Sequence, residues 1–316
     1  MAIEPAYAGI PPGVLRRMGK AVRMGVGAAM PLLEKDTKPD GIIIGTANGG
    51  KEDCVKFLNQ ITEYDEGLLT PINFVQSTPN AVAAQIGLLT KNHGYNISHL
   101  HAGLAFEFAV IDAEMKLQEN PSHEYLLGAA DDISIYNYIF EEKRGWYKEN
   151  NISNAALYSS NSKGCIPGEA ATMFLVNNIA SGAVAKMIAV DTLHHTNETV
   201  VKEKLESFIA KHLPAGEKID LLLSGENGDN RFDKYYTAFE SAMNAGTGIA
   251  RFKHISGEYP TATAMAVWLA AAVLSNQNLP QHMIKKTGNT AGYKNILICN
   301  TYQLLQHSFI LLSLPH

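Results

Sequence analysis

Residues 95–113 read YNISHLHAGLAFEFAVIDA, and this stretch constrains the fold more than any other. A short polar–apolar run reaches a tight turn at Ala102-Gly103. A helical repeat follows, with Leu104, Phe108, Ile111 and Met115 at helical spacing and Glu107 and Glu114 interleaved. A strand that enters a small-residue turn and leaves as a helix is an elbow. Elbows hold the residue at the turn over a helix N-terminus, where backbone N–H groups and the helix dipole favour an anion or thiolate. No Ser or Cys occupies Leu100, His101 or Ala102, so the shape of a nucleophile site is present without the nucleophile.

With 316 residues the chain is long for one compact core and suits two fused halves. A hydrophobic content of 46% and a charged content of 18% describe an ordinary soluble globular protein. The net charge of −5 argues against nucleic acid or acidic membrane as a general partner. Three cysteines, Cys54, Cys165 and Cys299, lie far apart and suit a reducing compartment, with no disulfide framework or structural zinc site. The start, MAIEPAYAGIPPG, does not read as a signal peptide. The longest apolar run, Ala264 to Leu274, is too short to span a bilayer. These features predict a cytoplasmic protein.

In chain order, residues 1–13 predict an irregular arm, and Val14 to Leu33 a helix with a basic face of Arg16, Arg17, Lys20 and Arg23. The run Gly41 to Gly45 predicts a buried strand, Lys51 to Thr62 a helix, Asn73 to Asn80 a polar loop and Ala81 to Thr90 a small-residue helix. After the elbow come strands at Glu124–Gly128 and Gly168–Val176, separated by polar loop over 143–163. Asp131 and Asp132 predict a turn or helix cap, since no third ligand lies at metal spacing. The second half repeats the rhythm with strands at Ala185–Asp191, Ile219–Leu223, Ile296–Cys299 and Ser308–Leu312. Its helices are Glu198–His212, Phe232–Met243 and Thr263–Ser275, with a long loop over 276–292. Alternating strands and helices predict α/β architecture, and the shared order of pieces hints at internal duplication. No glycine run forms a dinucleotide or phosphate loop, so no nucleotide cofactor is expected.

Four segments, in this order, resemble the ketosynthases of the thiolase-like (beta-ketoacyl synthase) superfamily. The elbow resembles the family's Cys-x-Ser-Gly segment, with Gly103 as the glycine and Leu100 where the cysteine stands. Lys163 to Ala171 resembles Gly-Phe-x-x-Gly-Glu-Gly-Ala. Ser224 to Asn230 occupies the place of His-Gly-Thr-Gly-Thr, with either Glu226 or Asn227 for its histidine. Lys253 to Glu258 resembles Lys-x-x-x-Gly-His, with Lys253 retained and Glu258 replacing the histidine. Leu15 to Met18, the Gln76–Asn80 loop and Gly257-Glu258-Tyr259 give the look of divergent ketosynthase-like proteins from aryl polyene and flexirubin pigment clusters. The resemblance implies a layered α-β-α-β-α fold of two similar halves, 1–180 and 181–316. It implies a two-fold or pseudo-two-fold dimer interface near the Ala81–Thr90 helix and the elbow strand. The family opens with a strand that the residues before Val14 do not supply, which leaves a shortened start or an open sheet edge.

Decarboxylative condensation needs a thiolate to carry the acyl chain and two donors to polarise the incoming thioester. Under the resemblance the chain offers Leu100, then Glu226 or Asn227, then Glu258. A leucine forms no thioester, and a carboxylate repels a developing oxyanion. The first expectation is therefore a chain-length-factor-type partner that lacks the nucleophile, pairs with an active ketosynthase or with itself, and needs no cofactor. Leu100, Phe106 and Phe108 would close or line its tunnel, and the basic face would meet an acyl carrier protein. The second is an acyltransferase or decarboxylase using His99, His101 or Glu258. The third is a homodimeric acyl-binding protein without turnover. Each residue also has a plainer role: His99 and His101 as hydrogen-bonded structural residues, Cys165 as an inert thiol, Lys253 as the ion-pair partner of Glu258, and the basic face as a solvated helix side.

Overall fold

The computed structural model describes residues 4 and 7 and residues 9–33, 37–67, 69–289 and 291–315. The arm expected over 1–13 therefore lies partly outside the described residues. The chain divides into two compact units. Unit 1 comprises residues 1–144, 167–178 and 259–264, and unit 2 comprises residues 145–166, 179–258 and 265–316.

Unit 1 opens with α1 (Pro12–Leu15) and α2 (Lys20–Ala29) in place of the single helix expected from Val14. The break falls at Gly19, where a Cβ would strike the Asp53 carboxylate. There follow β1 (Gly41–Thr46), α3 (Lys51–Glu63), α4 (Pro71–Gln76), α5 (Ala81–Thr90), β2 (Tyr95–Leu100), α6 (Ala105–Glu119), β3 (Glu124–Asp131), α7 (Ile135–Lys143) and β4 (Ala170–Asn177). The expected loop over Asn73–Asn80 is corrected: its first part is α4, a short helix with Pro71 in its first turn, where the missing N–H costs nothing. The sheet order is β2-β1-β3-β4, with β1 parallel to both neighbours and β4 antiparallel to β3. Ile42, Ile43 and Ile44 are fully buried on both faces of the central strand, as their β-branched run requires.

Unit 2 carries β5 (Lys186–His194), α8 (Glu198–His212), β6 (Leu221–Ser224), α9 (Asp233–Ser241), β7 (Gly248–Arg251) and α10 (Lys253–Ser256). Then come α11 (Ala262–Asn276), which begins in unit 1, and β8 (Ile284–Lys286), β9 (Asn295–Tyr302) and β10 (Gln306–Ser313). The sheet order is β5-β10-β9-β6-β7-β8. The expected long loop over 276–292 is corrected too, because β8 forms within it and pairs antiparallel to β7.

The two sheets share one plan. In each, the first strand of a parallel triplet sits in the middle, and a fourth strand runs antiparallel beside the third: β2-β1-β3-β4 and β7-β6-β9-β10. Unit 2 adds β5 beyond β10. Among the described residues no strand pairs with the matching edge of β4. No helix among the described residues is long and apolar enough to cross a membrane.

Candidate functional site

The elbow in unit 1 forms as expected. β2 ends at Leu100, the chain turns through residues 101–104, and α6 starts at Ala105. The approach is close because Gly45 on β1 leaves room for the Ala105 backbone. His101 Nδ1 accepts hydrogen bonds from the backbone N–H groups of Gly103 (3.3 Å) and Leu104 (3.1 Å). Two donors at the helix start are thus taken by an imidazole. None of residues 100–104 has left-handed backbone, so the turn lacks the strain that lifts a nucleophile out of a sheet.

Around it, His99 Nε2 lies 3.0 Å from Asp112, which also accepts from Tyr95 Oη at 3.1 Å. The rings of His101 and Phe108 meet edge to face at 5.0 Å. Both histidines therefore lie toward α6, while Leu100 is 58% exposed on the opposite side. Phe106 is fully buried, its ring 6.1 Å from that of Phe174 on β4. The face of α6 that packs is Ala105, Phe106, Ala109, Val110 and Ala113, whereas Met115 is exposed. Of the Leu104–Phe108–Ile111–Met115 repeat, Leu104 is buried, Phe108 and Ile111 are half-buried and Met115 is exposed.

Asp131 is neither a turn nor a helix cap. It is fully buried at the end of β3 and accepts four hydrogen bonds: from Thr46 Oγ1 (3.0 Å), the N–H groups of Ala47 (2.9 Å) and Asn48 (2.7 Å), and Thr261 Oγ1 (2.8 Å). It pins the loop after β1. Asp132 is nearly buried, and burial pushes its carboxyl up to about 7, with Glu52 adding repulsion. No group of three or more His, Cys, Asp or Glu side chains among the described residues is placed to hold a metal ion.

In unit 2 three of the motif positions converge. Lys253, 1% exposed at the start of α10, donates to Glu258 Oε1 (2.9 Å) and Oε2 (2.7 Å) and to Asn300 Oδ1 (2.7 Å). Glu258 Oε2 also accepts from Asn227 Nδ2 at 2.8 Å, and Asn227 Oδ1 accepts the N–H of Asp229 at 3.1 Å. Gly257, at φ +70°, makes the turn that brings Glu258 back onto Lys253. Glu226 points elsewhere, to Arg251 (3.3 Å) and Lys285 (2.8 Å). The Cys165 thiol donates to Trp146 O at 3.1 Å, and burial, reinforced by the Glu258 charge, pushes it well up. It is an inert thiol at neutral pH.

The two charges of this cluster are matched against each other. The three protons of the lysine ammonium face three oxygens, and both carboxylate oxygens are occupied. All three ammonium protons of Lys253 are therefore committed within the cluster. Asn300 was not foreseen, although an Asn following the apolar run Ile296–Cys299 was a signal that it had a buried partner. Tyr158 and His254 were also missed. The Tyr158 hydroxyl accepts the His254 N–H at 3.1 Å, and His254 Nε2 lies 2.9 Å from His282 Nδ1. The basic face divides in unit 1: Lys20 binds Glu169 (2.6 Å) and Arg23 binds Glu4 (2.9 Å), while Arg16 and Arg17 are exposed.

The family model for the beta-ketoacyl synthase N-terminal domain matches residues 2–198. Among solved structures, a beta-ketoacyl synthase from Burkholderia phymatum STM815 superposes with a TM-score of 0.80 at 13% identity, over 100% of this chain and 87% of that one. The ishigamide ketosynthase/chain length factor gives 0.76 at 13%, over 96% and 83%. A type II polyketide acyl-carrier protein in complex with its ketosynthase bound to the hexaketide gives 0.75 at 12%, over 93% and 84%. At such identities the likeness is one of fold, and the fold is the thiolase-like ketosynthase fold. No curated protein matches the chain.

Proposed function

The chain belongs to the beta-ketoacyl synthase family, and from that premise we propose that it is a chain-length-factor-type partner in fatty acid or polyketide assembly, of the aryl polyene and flexirubin pigment kind. The observation that carries the reading is the cluster of Asn227, Lys253, Glu258 and Asn300, in which the Lys253 ammonium and both Glu258 oxygens are taken up by one another and by the two asparagines. Condensation needs donors free to meet an enolate and a thioester oxygen. Leu100 at the elbow adds the second half of the argument, since it offers no sulfur to carry an acyl chain. A fold-related chain length factor beside its ketosynthase supports the pairing.

In this role the chain works in the cytoplasm, binds no cofactor, and shapes a partner's tunnel with Leu100 and Phe108, while Phe106, fully buried against Phe174, belongs to the core and not to the lining. Leu88, 74% exposed, and Leu100, at the edge strand β2, supply apolar surface for a ketosynthase subunit or a second copy. Arg16, Arg17, Lys20 and Arg23 meet the acidic surface of an acyl carrier protein, as one fold-related ketosynthase in complex with its carrier suggests.

The test is incubation with acyl and malonyl carrier proteins, read by intact mass, beside co-purification with a cysteine-bearing ketosynthase. The reading expects no acyl adduct, no malonyl loss and a stable pair. An adduct, or decarboxylation abolished by His101→Ala, sinks it in favour of an enzyme. A homodimer that binds acyl groups and ignores every ketosynthase sinks it in favour of an acyl-binding protein.

A further inference from the structure

We infer that unit 1 holds a pocket for a small phosphate ester that carries hydroxyl or amide N–H donors. The pocket has a volume of about 430 Å³ and is walled by the α1–α2 turn, α3 and α4. That size falls in the range of small-ligand sites, about 300–1,000 Å³.

The fold has already matched most of the charges in the wall. Lys20 is held by Glu169, Arg23 by Glu4 and Lys56 by Glu52 (2.8 Å). Arg16 and Arg17 are left: among the described residues neither has a carboxylate partner, and both are exposed, so they stand at the rim. Two guanidiniums present paired N–H forks, the geometry that suits a phosphate dianion.

Deeper in, Gln76 on α4 is 7% exposed, and its Oε1 has no hydrogen-bond partner. A buried acceptor left without a donor is unfavourable, so a ligand that supplies one is favoured there. Asp53 stands in the same wall, and burial pushes its carboxyl up. Gly19 makes room for that carboxylate. The pocket is thus bipolar, with cationic groups at the rim and acceptors inside. An anion alone satisfies the rim and leaves Gln76 unpaired. An acyl chain finds only Met18 and Ile72 as apolar wall. An ester with phosphate at one end and donors at the other satisfies both.

This goes beyond the partner reading and requires no ketosynthase, though it shares Arg16 and Arg17 with the carrier surface. The ester comes either free in solution or as the phosphate-linked arm of a holo carrier protein.

Calorimetric titration of the full chain with sn-glycerol 3-phosphate, inorganic phosphate, sulfate and glycerol tests it. The phosphate ester is expected to bind about tenfold or more tighter than sulfate, and glycerol not at all. The R16Q/R17Q double variant is expected to lose about tenfold for ester and inorganic phosphate alike. Gln76→Leu is expected to weaken the ester about three- to tenfold and leave inorganic phosphate unchanged, which also shows that the variant is folded. An ester no tighter than sulfate, or a double variant that binds like the parent, overturns the proposal. Titration with holo and apo carrier protein separates the sources. A holo gain that disappears in the double variant assigns the carrier arm, whereas ester binding with equal holo and apo affinity assigns a free metabolite. Ester binding with no affinity for either carrier form removes the carrier-docking reading and leaves the pocket standing.

Discussion

The side chain that decides most in unit 2 is Lys253. A buried ammonium survives in a folded interior only when its charge and all three protons are matched, and Glu258 and Asn300 match them. Removing one partner strands the other. Lys253→Met or Glu258→Gln is expected to cost about 3–5 kcal/mol, and the K253M/E258L pair is expected to recover most of that loss. Urea unfolding followed by far-UV circular dichroism checks both. An enzyme that used Glu258 on substrate would instead show small stability losses and a large change in activity. The cluster was half legible from sequence: Lys253 and Glu258 stand five residues apart across a glycine, which suggested a pair. Asn227 was one of two candidates at its motif position and joins the pair where Glu226 does not, whereas Asn300 comes from a distant strand that only the fold brings in.

At the scale of elements, long segments with strong patterns were readable and short or crowded ones were not. α5 and α8 have the ends expected of them, α5 from a run of mostly small and apolar residues and α8 from an amphipathic repeat. β7 and β8, with four and three residues, carry too little pattern to see. α6 forms where its repeat predicts a helix, but the repeat did not mark the face that packs. Its start meets β1 at Gly45, where the Ala105 backbone comes close, and that contact turns Phe106, Ala109, Val110 and Ala113 inward. The α4 helix was hidden by polar residues around it, although Pro71 in a first turn was a fair signal. Asp131 joins the end of β3 to the loop after β1, a link no local pattern reveals. Asp131→Ala would leave four donors without their acceptor and is expected to cost about 3 kcal/mol or more, with the loss of exchange protection concentrated in residues 46–50. Hydrogen exchange by mass spectrometry reads that pattern.

For the whole molecule, the two units are expected to respond to pH with opposite sign. In unit 2, burial pushes His307 down to about 4, outweighing the His195 carbonyl that its ring donates to. The folded state holds the neutral ring, so stability is full above about 6.5 and is lost as pH falls from there towards 4, by about 3 kcal/mol. In unit 1, the Asp132 carboxyl sits at about 7. The folded state holds it protonated, so stability is full below about 4 and is lost as pH rises towards 7, by roughly 2–4 kcal/mol. Asp132→Asn is expected to stabilise unit 1 at pH 8 and to match the parent near pH 4. Exchange rates of β1 peptides and β9 peptides, followed separately from pH 4 to 8, check the two slopes. Parallel slopes in both units would refute this assignment.

Lys253 has a further use. Its side chain is wholly shielded from solvent, so an amine-reactive reagent that labels surface lysines within seconds will pass it by. It becomes chemically visible only when unit 2 opens around it. The chain thus carries its own internal clock for local opening, read as one delayed acetyl mark against a background of fast ones. A bound partner that steadies unit 2 would slow that clock without touching the residue.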